Sequence, residues 1–127
     1  MRLLLDTHVF LWAIERPAML SKKAIALIQD EDNELLLSTA SLLEIALKVR
    51  AGKLRLPEDR HYFEEHMANL GVECLPIQAE HVLGLFTLPD HHRDPFDRLL
   101  VAQCRSERLA LVTADKAIRR YDIKTLW

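Results

Sequence analysis

Short apolar runs alternate with longer amphipathic ones along the whole 127-residue chain. Arg2 to Leu5 reads as a buried strand, followed at once by the helical stretch DTHVFLWAIE. Ser21 is placed to cap a helix in SKKAIALIQDED, where Ala24, Ile25, Leu27 and Ile28 share one face. Glu34 to Ser38 predicts a second strand, and Ser41 to Ala51 a helix with Gly52 as its stop. After the loop KLRLPED comes a polar helix from Arg60 to Asn69, halted by Gly71. Val72 to Leu75 predicts a third strand, ended by Pro76, and Ala79 to Leu88 another helix. Pro89 opens the polar loop PDHHRD, and Pro95 to Arg108 forms a strong helix. Leu109 to Thr113 is strand-like, Lys116 to Tyr121 a short helix, and Ile123 to Leu126 a last strand. Short apolar strands separated by helices imply a parallel sheet covered on both faces. The expected class is therefore α/β: a three-layer α/β/α sandwich with a central, mainly parallel sheet in a single domain, residues 1–127.

That architecture gives the acidic residues their interest, because ligands of open parallel sheets bind outside the carboxyl ends of the strands. Asp6 and Asp115 directly follow apolar strands, Glu44 lies in the first turn after one, and Asp94 and Asp97 open a helix after a loop. All are placed to look out from one sheet edge. Each also has a capping explanation. Asp6 is positioned to cap the helix begun by Thr7, and Asp115 the helix from Lys116. Ser41-x-x-Glu44 matches a capping box, and Asp94-Pro95-Phe96-Asp97 matches an N-cap, proline at N1 and an acid at N3. With Pro95 at N1, Asp94 is the better cap and Asp97 the better inward carboxylate. If the acids do meet, two like charges about 4 Å apart cost about 4 kcal/mol at an effective dielectric of about 20. Protons or a cation must offset that repulsion, and Mg²⁺ or Mn²⁺ suits oxygen ligands best.

Charge and composition narrow the rest. Formal net charge is −2, so the chain is no polycation. From Arg93 onward, however, eight basic residues face five acids, of which Asp94, Asp97 and Asp115 belong to the candidate site. What remains on the surface there is basic and suits a polyanion, although a solvated helical face of mixed charge explains it equally well. Cys74 and Cys104 lack zinc spacing and read as buried structural thiols of a reducing cytoplasm. Neither a signal peptide nor a membrane-spanning run is expected, so the reading is cytoplasmic, without membrane association. Thr7 and Thr113 flank the acids as candidates for a hydroxyl that bonds a carboxylate, beside their ordinary role at strand ends. His91 and His92 are candidates to touch a substrate phosphate, whereas Phe10, Leu11 and Trp12 read as core packing and not as base-stacking residues.

Taken together, LLLDTHVFLWA, SLLEIALK, HRDPFDRLLVAQ and LVTADKAI resemble the PIN-domain (PilT N-terminal domain) ribonucleases. The closest likeness is to toxin subunits of virulence-associated BC-type toxin–antitoxin modules. The resemblance spans nearly the whole chain, and HRDPFDR with the following apolar helix is its most specific segment. It implies a PIN-like fold, and one or two Mg²⁺ or Mn²⁺ ions held by Asp6, Glu44, Asp97 and Asp115. It implies an RNA substrate, a homodimer and a cognate antitoxin protein that inhibits. Thr7, Asp94, Arg98, Thr113 and Lys116 are the candidate substrate-binding residues. The expected reaction is hydrolysis of RNA phosphodiester bonds by a metal-activated water. A haloacid-dehalogenase-like phosphatase is disfavoured, because its second aspartate would stand where this chain has His8. The remaining alternatives are a non-catalytic PIN-like binding or regulatory module and a DNA-directed nuclease.

Overall fold

The computed structural model describes residues 1–127. Its strands are β1 (Arg2–Leu5), β2 (Glu34–Ser38), β3 (Val72–Leu75), β4 (Ala110–Val112) and β5 (Thr125–Leu126). They form one sheet in the order β3-β2-β1-β4-β5, and every neighbouring pair runs parallel. The helices are α1 (Thr7–Glu15), α2 (Lys22–Gln29), α3 (Thr39–Arg50), α4 (Arg60–Leu70), α5 (Ala79–Leu83) and α6 (Pro95–Glu107).

Alternate residues of each strand enter opposite cores. Leu3 and Leu5 pack with Val9, Phe10, Leu35, Leu37 and Ile45 on one face of the sheet. Leu4 packs with Leu36, Leu100, Val101, Leu111 and Ile118 on the other. A strand buried on both sides needs an unbroken apolar run, and LLL at positions 3–5 supplies one. The three-layer α/β/α expectation is therefore met, with an entirely parallel sheet.

Winding order places the site. The chain runs outward from β1 through β2 to β3, then crosses back to build β4 and β5 on the opposite side of β1. Adjacent strands β1 and β4 thus mark the point where the winding reverses, and crossovers diverge to leave a crevice there. Leu5 pairs with Val112 in register, and the Asp6 N–H donates to the Val112 carbonyl at 3.0 Å. Asp6 and Thr113 consequently leave the sheet side by side.

Several elements differ from the sequence-based expectation. Helix α3 begins at Thr39, with Ser38 as its N-cap accepting from the Ala40 N–H at 3.0 Å. Ser41 and Glu44 are therefore buried inside the helix rather than joined in a capping box. Helix α5 stops at Leu83 and tightens into a 3₁₀ turn over Gly84–Thr87, consistent with the weak helix propensity of Gly and Thr. The helix expected from Lys116 to Tyr121 is a single 3₁₀ turn, Ile118–Arg120. Cys74 is exposed, contrary to the buried reading, because β3 is an edge strand. Cys104 is buried in α6, and burial pushes its thiol up to about 12. No helix is long and apolar enough to cross a membrane.

Because Leu5 is fully buried at the centre of the sheet, Leu5→Ala is expected to lower stability by about 2–5 kcal/mol in urea unfolding. Leu43→Ala, at a half-exposed position of α3, is expected to stay within about 0.5 kcal/mol of the parent.

Candidate active site

Asp6 sits at the N-cap of α1, yet its side chain makes no capping hydrogen bond. It is buried, and its Oδ2 accepts from the Thr113 hydroxyl at 2.7 Å while Oδ1 has no partner. Glu44, one turn into α3, is buried as well. Its Oε2 accepts from Lys48 Nζ at 2.7 Å, and its Oε1 has no partner. Two buried carboxylate oxygens without a donor are costly to leave so, since an unsatisfied charged acceptor keeps its full desolvation penalty.

Asp94 takes the capping role of α6, accepting from the Phe96 N–H at 2.8 Å and the Asp97 N–H at 3.1 Å. Pro95 at N1 fixes the helix start, and Asp97, at N3 of the first turn, lies where the charges of the other acids act on it. The Asp97 carboxyl is pushed up to about 7, first by burial and then by repulsion from Asp6, Asp94 and Glu44, with His92 opposing. Burial also raises Asp6, against the Thr113 hydrogen bond that lowers it. Asp115 goes the other way. Burial raises it, but hydrogen bonds from His92 and the Ala117 N–H outweigh that effect and hold its carboxyl low.

His92 joins the cluster from the loop before α6. Its Nε2 lies 2.9 Å from Asp115 Oδ2 and 3.2 Å from Asp97 Oδ2. Its Nδ1 accepts the Asp94 N–H at 3.0 Å, which assigns the proton of the neutral ring to Nε2. The imidazole thus donates into the space between two carboxylates. Although burial works against protonation, the Asp115 hydrogen bond and the charges of Asp97 and Asp115 raise the His92 pKa overall. Lys48 is raised chiefly by its hydrogen bond to Glu44, with Asp94 and Asp97 adding.

The remaining candidates have other partners. Thr113 bridges the site, since its hydroxyl donates to Asp6 and accepts the Asp115 N–H at 3.0 Å. The Thr7 hydroxyl is buried and donates to Ser41 Oγ at 2.8 Å, tying α1 to α3. Arg98 is spent on the preceding loop: its guanidinium donates to the carbonyls of Leu88, Pro89 and His92 and pairs with Asp90 at 3.2 Å. It clamps the segment that carries His92. Lys116 is exposed and makes no ion pair, so its ammonium is free to meet an anion. Lys48 escaped the sequence reading, although its spacing of four from Glu44 was the available signal.

A second cluster, Glu80, His81 and Glu107, has the residue types of a metal site but not its protonation. The Gln78 N–H donates to His81 Nδ1 at 2.9 Å, so Nε2 carries the proton and meets Glu107 Oε1 at 2.9 Å. With both ring nitrogens engaged, His81 braces α5 against α6.

The acids of the site also set a pH dependence. Asp97 ionises near 7 when folded but near 3.8 when free, so folding favours its protonated form. Its contribution is present below about pH 4 and is lost as the pH rises toward about 7, because the folded state then holds more protons than the unfolded one. Asp97→Asn is therefore expected to raise the metal-free melting temperature at about pH 8 and to change it little at about pH 4. Thermal denaturation of both proteins across that range checks the sign.

The PIN domain family matches the chain over residues 3–124. Among solved structures, VapBC2 from Rickettsia felis, bound to a promoter DNA fragment, is similar at 15% identity and a TM-score of 0.71, covering 99% of this chain and 98% of that one. DNA-bound VapBC from Salmonella typhimurium is similar at 16% identity and a TM-score of 0.72, covering 99% and 97%. VapBC-5 from Mycobacterium tuberculosis, a member of the VapBC family of toxin–antitoxin systems, is similar at 19% identity and a TM-score of 0.60, covering 98% and 97%. At such identities these likenesses speak for the fold. No curated protein matches the chain by sequence. With a match over residues 3–124 and an acid-lined crevice where its parallel sheet reverses winding, the chain belongs to the PIN domain family.

Proposed function

We propose that this protein is a metal-dependent endoribonuclease and the toxin of a toxin–antitoxin pair. The observation that carries the reading is the pair of buried, partnerless oxygens, Asp6 Oδ1 and Glu44 Oε1, on residues whose charges bear on Asp97. A fold leaves such atoms unsatisfied where a ligand completes them. Hard oxygen donors of this kind fit Mg²⁺ or Mn²⁺. Asp6, Glu44, Asp97 and Asp115 would hold the ion. When bound, it supplies Lewis acidity at a scissile phosphate and lowers the pKa of an attacking water.

The side chains around the acids divide the remaining work. Thr113 orients Asp6 through its 2.7 Å hydrogen bond. Lys48 neutralises Glu44 and stays partly exposed, so part of its charge faces the cleft. Lys116 is the exposed cation next to Asp115 and is suited to a substrate phosphate. No covalent nucleophile is required, since hydrolysis proceeds by in-line attack of water. The toxin reading draws support from the similarity to the VapBC structures. It includes a homodimer and a small cognate antitoxin, and exposed Val82, Leu83 and Phe86 on α5 and its 3₁₀ extension offer an apolar surface for such contacts.

Cleavage of labelled RNAs, transfer RNA included, with Mg²⁺, Mn²⁺ or EDTA tests the proposal beside Asp97→Asn. Metal-dependent cutting that the variant loses is the expected result. A cleanly folded Asp97→Asn protein that still cuts would sink the assignment. Folded parent protein that neither cuts RNA nor binds Mn²⁺ in calorimetry would favour a binding module instead. Thr113→Val is expected to weaken Mn²⁺ binding by about 10- to 100-fold, since the groups that orient a metal ligand have effects of that size. Calorimetry of the folded variant reads that loss directly.

A further inference from the structure

A groove of about 440 Å³ opens beside α1 and shares no residue with the acidic cluster. His8, Leu11 and Trp12 line one wall, while Lys53, Leu54, Arg55 and Leu56 line the other, with Arg16 at the far end. His8 is two residues beyond Asp6, so the groove begins in the first turn after that carboxylate and runs away from it along the helix. From His8 to Arg16 the path is about 12 Å long at about 1.5 Å per residue.

Its charge is unusual for a chain of net charge −2. Arg16, Lys53 and Arg55 are exposed, and none has a side-chain hydrogen bond or ion pair. They outnumber Glu15, the acid of the lining, whose carboxylate accepts the Tyr62 hydroxyl. The segment from Lys53 to Leu56 alternates strictly. Leu54 and Leu56 are half-buried against the core, and the two cations between and before them project outward.

Aromatic rings lie along the same wall. Trp12 stands 5.9 Å from His8 and 5.8 Å from Trp127, centroid to centroid, tilted by 49° and 52°. Trp127 packs against the core and neighbours the Trp12 ring without lining the groove. Trp12 is thus only partly buried and offers ring surface to the groove, which the core-packing reading of the sequence did not foresee. A fixed aromatic platform flanked by unneutralised cations is the arrangement that binds single-stranded nucleic acid, with bases stacked and phosphates on the cations. An acidic apolar peptide would satisfy the cations and leucines but would not need the exposed indole of Trp12.

The geometry points to this groove as a subsite for a single-stranded segment of the RNA flanking the cleaved bond, with a base on Trp12 and phosphates on Arg16, Lys53 and Arg55. The inference rests on the nuclease reading and extends it. Recognition here is independent of sequence, because every base has a stacking face.

Binding of a uridine decanucleotide to the Asp97→Asn protein in EDTA, followed by tryptophan emission, separates the two readings because no cleavage or metal is involved. Titration is expected to quench the emission. Arg16→Glu with Arg55→Glu is expected to raise the Kd about tenfold or more with an unchanged melting temperature. The slope of log K against log salt is expected to flatten by about 1.4, from about 0.7 per lost phosphate contact. Trp12→Leu is expected to abolish most of the quench, and the charge-reversed pair decides the matter should that variant fold poorly. Unchanged affinity and salt slope in the charge-reversed protein would overturn the inference, as would quenching by a Glu/Leu peptide but not by the oligonucleotide. RNA that binds the groove in a protein that never cuts would instead overturn the nuclease reading alone.

Discussion

Repulsion among carboxylates gathered in a poorly hydrated crevice is the constraint around which this molecule is arranged. Asp6 and Glu44 are buried, Asp97 is partly buried, and Asp115 shares a histidine with Asp97. The folded chain offsets the charge in three ways. Lys48 reaches back one turn to Glu44, His92 donates between Asp97 and Asp115, and Asp97 itself holds a proton up to about pH 7. None of these reaches Asp6 Oδ1 or Glu44 Oε1. The cluster is therefore organised before anything binds, and its deficit is a positive charge among oxygen donors.

Much of the polar structure nearby keeps that cluster in place. Thr113 joins the ends of β1 and β4 through a single hydroxyl that both donates and accepts. The Thr7–Ser41 hydrogen bond fixes the start of α1 against α3, and so holds Asp6 relative to Glu44. Arg98 gathers three carbonyls of the loop before α6 and thereby sets the position of His92. The contrast with His81 is instructive. Both imidazoles accept a backbone N–H at Nδ1 and present Nε2–H to a carboxylate. His81 does so in full burial between two helices, where it can only brace, whereas His92 does so at the mouth of a charged crevice.

Around the acids the surface charge is distributed by role. Arg98 of α6 and Lys48 of α3 are consumed internally by the loop and by Glu44. Those of the groove beside α1, together with Lys116, are left unpaired. A chain of slightly negative net charge can therefore present a positive path to an anionic polymer, since steering and contact depend on local rather than total charge.

The fold was legible because its signals are local. Strand-length apolar runs, Ser21 as a cap, Pro95 at N1 and left-handed Gly71 after α4 each act within a few residues, and the elements they mark appeared where those residues predicted. The opposition between Asp94 as cap and Asp97 as inward acid was legible for the same reason. What the chain alone left open were the competing roles of Asp6 and Glu44, because a cap and a cleft carboxylate look identical in sequence. Tertiary structure decided them: strand register sets Asp6 beside Thr113, and an earlier start of α3 turns Glu44 inward. The exposure of Cys74, the commitment of Arg98 to its own loop and the pairing of Trp12 with Trp127 likewise depend on tertiary contacts. Hydrogen bonds such as Thr113 to Asp6 span 107 positions, and no local pattern encodes a pairing of that range.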